Sequence, residues 1–293
     1  MRIVRTIAGL RAELAPIRGR QGPIGLVPTM GAFHDGHLSL IRRAREQCGV
    51  VVVSLFVNPT QFNDSGDLDV YPRDELRDAA LADEIGADYL FAPSVEEVYP
   101  PGFATSVSVS GVSDGLEGEH RGREHFDGVA TVVTKLLNMV GPEVAYFGQK
   151  DAQQALVIRR LVRDLDMPVR IEVCPTVRAD DGLALSSRNA RLSAAKRERA
   201  TSLHRALRAI QDAVLAGERD PVAATEAALA ELTSAGVEPE YLALVSTDTM
   251  TPVSRIEGDV LAVVAARVGP ARLIDNALIQ VPALAGNTTM RRP

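Results

Sequence analysis

The stretch IGLVPTMGAFHDGHLSLIRRAREQCGVVVVSLFV, Ile24–Val57, decides the fold. Ile24–Pro28 reads as a short strand ending in proline. Leu38–Cys48 reads as a helix, with Leu38, Leu40, Ile41 and Ala44 on one face and Arg42, Arg43 and Glu46 on the other. Val50–Val57 is a nearly continuous apolar run, the mark of a strand buried on both faces and hence of a parallel sheet. The same alternation continues outward. Asp74–Ile85, Val129–Val140 and Ala152–Asp164 read as helices, followed by strands at Tyr89–Ala92, Val144–Phe147 and Val169–Val173. This pattern predicts an α/β fold, a doubly wound, Rossmann-like parallel sheet over residues 1–176, with ligand loops at the carboxyl ends of its strands.

Beyond Pro175 the character changes. Ser193–Ala216 and Ala223–Ser234 read as Ala-rich helices. Three strand-like runs follow at Tyr241–Val245, Val260–Val268 and Ala271–Ile279, the last two joined by a turn at Val268–Ala271. A smaller α+β domain is expected over 177–293, and the tail Gly286–Pro293 is expected to fray.

Composition narrows the function classes. The chain has 293 residues, 46% hydrophobic, and a net charge of −6 from 32 basic and 38 acidic residues, which disfavours nucleic-acid binding. Cys48 and Cys174 stand far apart in apolar surroundings, with neither metal-ligand nor disulfide spacing. The N-terminal segment lacks the apolar core of a signal peptide, and no run reaches the length of a membrane span. A cytoplasmic protein is expected. Only three of the 32 basic residues are lysines, Lys135, Lys150 and Lys196, so each can be questioned individually.

Four constellations carry chemistry. The first is PTMGAFHDGH, Pro28–His37, directly after a strand. Gly31 and Gly36 allow close backbone approach to a ligand. His34 and His37 stand one helical turn apart, and His37 is read as opening the next helix, whose N-terminus favours an anion. Two imidazoles there suit polyphosphate oxygens and a leaving pyrophosphate. The second is VNPTQF, Val57–Phe62, where Asn58 and Gln61 can each donate and accept and so suit a hydroxy acid. The third is YFGQKDAQQ, Tyr146–Gln154. Gly148 frees the backbone and Lys150 supplies a compact positive charge. Asp151 either caps the helix or holds a ribose hydroxyl, and Gln154 points back at the same ligand. The fourth, Val177–Asn189, offers Ser186, Ser187 and the forked guanidinium of Arg188, a phosphate grip on a second domain that closes as a lid over nucleotide.

Together these motifs resemble the pantoate–beta-alanine ligase family, with likeness from Leu26 to Asn276. Further markers are YPR at Tyr71–Arg73, HFDGVATVV from His125, LALSSRN and RLIDN at Arg272–Asn276. LSSRN is also similar to the second signature of class I aminoacyl-tRNA synthetases. The resemblance implies that pantoate is adenylated by ATP and that the amine of β-alanine then displaces AMP. It implies an ATP site of Met30, Gly31, Ala32, Phe33, His34, Asp35, Gly36, His37, Gly148, Gln149, Lys150, Asp151, Val177, Leu185, Ser186, Ser187 and Arg188. His37, His34, Lys150 and Arg188 would be the catalytic set, with His37 as proton donor or charge stabiliser. Gln61 and Gln154 would hold pantoate, Gln61 would also meet β-alanine, and Pro28, Phe62, Val132 and Val133 would wall the geminal methyls. No carboxylate cluster demands a metal, so Mg²⁺ would be held mainly by ATP phosphates. A homodimer is expected.

Three positions depart from the family pattern. Gln149 replaces a common Glu, and Leu185 a usual Met. The segment Leu116–Phe126 is one residue longer, which leaves Arg121 or Arg123 for a single family arginine, Arg121 being the better register. Two other functions compete: a nucleotidyltransferase that stops at an adenylated product, and an RNA-binding relative of the synthetases. AMP and pyrophosphate release with pantoate, with and without β-alanine, separates the enzyme readings.

Overall fold

The structure, a computed structural model, describes residues 1–62, 65–69 and 71–281; the expected fraying at Gly286–Pro293 lies outside them. The chain divides into two compact units, Met1–Ala190 and Arg191–Pro293. The stretch Val177–Asn189, expected to open the second domain, therefore belongs to the first unit.

The first unit runs β1 (Arg2–Val4), α1 (Ile7–Leu14), β2 (Ile24–Thr29), α2 (Asp35–Gln47), β3 (Val50–Leu55), α3 (Ser65–Asp69), α4 (Glu75–Glu84), β4 (Tyr89–Phe91), α5 (Val95–Val98), α6 (Glu117–Arg121), α7 (Arg123–Val140), β5 (Val144–Gly148), α8 (Ala152–Asp164) and β6 (Arg170–Cys174). All neighbours in its six-stranded sheet are parallel, in the order β1-β4-β3-β2-β5-β6. Side chains alternate between two faces, as a strand requires. Ile24, Leu26, Val50 and Val52 pack with Val133 and Leu137 of α7 and Ile158 of α8. Val27, Val51 and Val53 pack with Leu40, Ile41 and Ala44 of α2. Each such buried Val, Leu or Ile side chain contributes about 1.5–3 kcal/mol. The succession β2, β3, β4 runs to one side of β2, and β5 then takes the other side. The crevice between the carboxyl ends of β2 and β5 is thus the topological switch point, where such sheets bind ligands.

Helix α7 and strand β1 differ from the sequence reading, for local reasons. Helix α7 begins at Arg123, not Val129, because Gly122 at φ 79° turns the chain into it and its polar first turn hides the apolar period. Strand β1, absent from the sequence reading, is only three residues long, its apolar pair Ile3 and Val4 sitting between Arg2 and Arg5.

The second unit carries α9 (Ala194–Ala200), α10 (Ser202–Leu215), α11 (Pro221–Ser234) and an antiparallel sheet of β7 (Pro239–Ser246), β8 (Val260–Val268) and β9 (Ala271–Ile279). The single helix expected over Ser193–Ala216 is two. They meet at Thr201, where the Thr201 hydroxyl donates to Glu198 O at 2.7 Å and the Ser202 hydroxyl to Arg199 O at 2.7 Å. The β8–β9 turn places Gly269 at φ 62°, with the Lys196 stem filling the space of a Cβ.

Candidate active site

A cavity of about 220 Å³ opens at the switch point, and the first unit supplies its whole lining. Met30, His34, Gly36 and His37 come from the corner after β2. Gly148, Lys150, Asp151 and Gln154 come from the corner after β5. Gln61, Val177, Leu185, Ser186, Ser187 and Arg188 complete the predicted residues on the wall, with the apolar Pro28, Phe62, Val132 and Val133. Five predicted residues, Gly31, Ala32, Phe33, Asp35 and Gln149, are not among the lining residues. Phe33 is 1% exposed and belongs to the core beneath α2.

The corner after β2 is held by a residue that the sequence reading overlooked. Asp78, 1% exposed on α4, accepts from Ala32 N at 2.7 Å and from Phe33 N at 2.8 Å. Gly31 sits at φ 90°, and a Cβ there would meet Leu55 Cδ1 at 2.8 Å and Asp78 Oδ2 at 3.0 Å. A Cβ on Gly36 would meet the His34 ring at 2.8 Å. Both glycines serve internal packing as well as any ligand.

Helix α2 opens at Asp35, with His34 as its N-cap, so His37 lies in the first turn and does not open the helix. Gly36 N donates to His34 Nδ1 at 3.1 Å, and His34 N to His37 Nδ1 at 3.5 Å. The ring centroids are 4.2 Å apart. Burial, then the charge of Lys150, lowers the His34 pKa to about 4. Burial, then His34, lowers that of His37 to about 3. Both rings are neutral near pH 7, and with Nδ1 accepting, each keeps its proton on Nε2. They are uncharged hydrogen-bond donors.

The opposite corner carries charge. Lys150 Nζ lies 3.3 Å from Asp151 Oδ1. Burial opposes the charge on Asp151, but Lys150, Arg188 and Arg121 outweigh it and hold its carboxyl below the ordinary range. Asp151 makes no side-chain cap bond to α8, which removes one of the two roles left open for it. Gly148 has nothing within 4 Å of where a Cβ would stand, so this backbone stretch is open to a ligand. Gln153 is structural: its amide accepts from Glu117 N at 3.1 Å and donates to Val112 O and Gly115 O. The next residue, Gln154, is the one on the wall.

Val177 and Leu185 are held side by side by a small hairpin. Leu185 N donates to Val177 O at 3.0 Å and Ala179 N to Leu183 O at 2.9 Å, around Gly182 at φ 86°. Thr176 Oγ1, beside them on the wall, is buried without a hydrogen-bond partner.

Three further residues join the wall. Arg121 lines the cavity, whereas Arg123 donates to Ser108 Oγ at 3.1 Å and Ser110 Oγ at 3.3 Å. Tyr71, from the YPR marker, bonds Ser187, and burial raises its pKa. His125 bonds Gln61 O through Nδ1 at 2.7 Å; burial, then Arg121, lowers its pKa to about 4. The register of Leu116–Phe126 favoured Arg121 for the family arginine; for Tyr71 and His125 the sequence marked a segment and gave no role. The wall thus carries three basic side chains, Lys150, Arg121 and Arg188, against the carboxylate of Asp151, on a chain of net charge −6. Such a site attracts a polyanion. Among the described residues no group of three His, Cys, Asp or Glu side chains is placed to hold a metal, and no helix is long and apolar enough to cross a membrane.

Comparison with known proteins points one way. Residues 2–278 match the family described as pantoate-beta-alanine ligase. The chain is 53% identical over 274 residues to a pantothenate synthetase of Cereibacter sphaeroides, covering 94% of this chain and 98% of that protein. It is 51% identical over 282 residues to a pantothenate synthetase of Moorella thermoacetica, covering 96% and 99%. The crystal structure of pantothenate synthetase from Thermus thermophilus superposes with a TM-score of 0.89 at 48% identity, covering 94% of this chain and 99% of that one. That of a pantoate-beta-alanine ligase from Francisella tularensis, complexed with beta-gamma ATP and beta-alanine, gives 0.78 at 35% identity, covering 95% and 97%.

Proposed function

The chain belongs to the pantoate-beta-alanine ligase family, and from that premise we propose how its cavity performs the reaction. The enzyme is an ATP-dependent ligase. A pantoate carboxylate oxygen attacks the α-phosphorus of ATP, the α–β anhydride bond breaks, and pyrophosphate leaves. The β-alanine amine then attacks the acyl carbon of pantoyl adenylate, the acyl–phosphate C–O bond breaks, and pantothenate and AMP result. Adenylation is needed because a free carboxylate is a poor acceptor for an amine.

One observation carries the assignment of roles: a single cavity joins a charged wall, a pair of neutral imidazole donors and an apolar patch with amide donors. Lys150 and Arg188 are assigned to the phosphates, where they offset charge building on the leaving pyrophosphate. His34 and His37 donate from Nε2 to phosphate oxygens, neutral and preset. Val177, Leu185 and the open backbone at Gly148 border the nucleoside, with Ser186, Ser187 and Asp151 beside it. Gln61 and Gln154 take pantoate, whose methyls lie against Pro28, Phe62, Val132 and Val133. Gln61 also meets β-alanine. Positioning two reactants in this way can supply up to roughly 7–11 kcal/mol for an ideally oriented pair. Mg²⁺ is read as part of the ATP substrate, held by phosphate oxygens and there to offset phosphate charge, since the wall's carboxylate is engaged with Lys150.

A homodimer is proposed from the likeness to the family. A cytoplasmic setting is supported by an ATP substrate and two buried free thiols. The test of the function is product release. Purified protein with ATP and pantoate is expected to release pyrophosphate, and to release AMP with turnover only when β-alanine is added. Turnover independent of β-alanine would leave a simple adenylating enzyme.

A further inference from the structure

Asn58 is 1% exposed, and its amide is fully committed. Two backbone groups of fixed polarity set its orientation. Thr60 N, which can only donate, faces Oδ1 at 3.4 Å, and Gly128 O, which can only accept, faces Nδ2 at 3.1 Å. Nδ2 also donates to Gln61 Oε1 at 3.1 Å. Gln61 therefore turns its oxygen inward and presents Nε2, which lies 2.9 Å from Met30 Sδ on the cavity wall. A thioether is a weak acceptor. A carboxylate or hydroxyl arriving there would take that N–H with a gain.

The bond from Thr60 N is long, so other donors must seat Asn58. Tyr99 OH donates to Oδ1 at 2.8 Å, the shortest bond on this amide, and Thr60 Oγ1 donates at 3.0 Å. Tyr99 follows α5 and is not among the residues lining the cavity. Its ring packs against Phe56 and Phe103, at centroid distances of 6.1 and 5.1 Å, and the Lys135 ammonium stands 5.7 Å from its centre. The same ammonium lies 4.4 Å from the centre of Phe103. The hydroxyl is thus fixed by a packed aromatic group away from the ligand. Gly128 completes the arrangement: a Cβ there would stand 2.4 Å from Thr60 O and push the whole turn off α7.

We infer that Tyr99 is a positioning residue for pantoate: it seats the Asn58 amide, which holds the Gln61 Nε2–H toward the cavity. The inference rests on the reading of Gln61 as a pantoate ligand. Tyr99 sets affinity for the hydroxy acid without touching it.

Steady-state kinetics on Tyr99→Phe, Asn58→Ala, the double variant and Gln61→Ala tests this. Tyr99→Phe loses one hydrogen bond and keeps the ring. It is expected to raise the pantoate KM roughly three- to tenfold, the scale of one such bond, with the ATP KM unchanged. Added to Asn58→Ala, it should cause no further rise, since the path is already cut. If Asn58→Ala does not fold, Asn58→Asp replaces it; that variant keeps an acceptor for Tyr99, loses the donor to Gln61, and should raise the pantoate KM by itself. The inference falls if Gln61→Ala raises the pantoate KM and Tyr99→Phe does not. It falls equally if the pantoate and ATP KM values rise together, or if the Tyr99 and Asn58 effects add in full. An unchanged pantoate KM in Gln61→Ala would instead remove the reading of the site on which the inference stands.

Discussion

The corners after β2 and β5 meet at the switch point and are built on opposite principles. After β2, the space beside each glycine is filled: Gly31 by Leu55 and Asp78, Gly36 by the His34 ring. Its backbone N–H groups at Ala32 and Phe33 are tied to one carboxylate, and its two imidazoles are neutral. After β5, Gly148 borders open space, and Lys150 and Asp151 carry opposite charges with no cap bond to α8. One corner supplies direction without charge; the other supplies charge. A transferring adenylyl group needs both, because charge lowers the barrier only when the reacting atoms are already aligned.

The strongest way to break this comparison is to remove one contribution at a time. Lys150→Ala and His37→Ala are each expected to lower kcat by roughly two to three orders of magnitude, the scale of losing one preset transition-state donor, while circular dichroism stays native. Lys150→Arg sharpens the test. A planar fork does not replace a compact ammonium beside Asp151, so activity at the original level would mean that this lysine acts through charge alone. Equal loss of ATP binding in His37→Ala and Lys150→Ala would erase the distinction between the two corners.

Next in size is Asp78→Ala. It strips the bonds of Ala32 and Phe33 and leaves one half-buried and one buried N–H group unpaired. The expected loss is about 3 kcal/mol of stability, read as a shift in chemical denaturation, with activity reduced through a displaced His34–His37 pair. An unchanged midpoint would show that the glycines alone hold the corner.

Much of this was legible in the sequence, and the parts that were not share a cause. Alternating apolar runs and helical periods give the parallel sheet, because burial on two faces leaves a continuous apolar signature at Val50–Leu55. The motifs at Pro28–His37 and Gly148–Gln154 follow strands and so had to meet at a sheet edge. Asp78 was not legible: it sits in a helix of ordinary charged composition, and only the fold brings α4 beneath the β2 corner. Tyr99 and Asn58 are 41 residues apart and meet only in three dimensions. Asn58 does line the cavity, but its donors and acceptors are engaged by Gly128, Thr60, Gln61 and Tyr99, a set of partners that only the fold assembles.

The neutrality of the imidazoles gives a pH test of intermediate size. In the folded protein His34 titrates at about 4 and His37 at about 3, below the ordinary value of 6.5. Below pH 6.5 the unfolded chain therefore binds protons that the folded chain refuses. Stability is full above that pH and falls as the pH drops toward the folded values, by at most about 1.4 kcal/mol per pH unit for each ring. Denaturation of the unliganded protein from pH 7 to 5 should show this slope, and His34→Gln should flatten it. The same slope in His34→Gln and the parent would place the loss elsewhere.

The two glycines give the smallest effects and the most direct contrast. Gly36→Ala puts a methyl 2.8 Å from His34 Cε1 and 2.9 Å from Nδ1, so the ring must swing and its bond to Gly36 N is lost. The cost, about 1 kcal/mol, is present before any ligand binds, and kcat falls with it. Gly148 has φ −85° and ψ 136°, extended backbone that alanine adopts freely, and its Cβ would meet nothing within 4 Å. Gly148→Ala should therefore leave the unfolding transition in place. Its cost is deferred until the nucleotide arrives, and it is read as a severalfold rise in ATP KM with pantoate KM unchanged. If instead Gly148→Ala binds ATP normally, the open face of the β5 corner is not where the nucleotide lies. The contrast between a corner filled by the protein and a corner completed by its substrate would then fail at the residue that defines it.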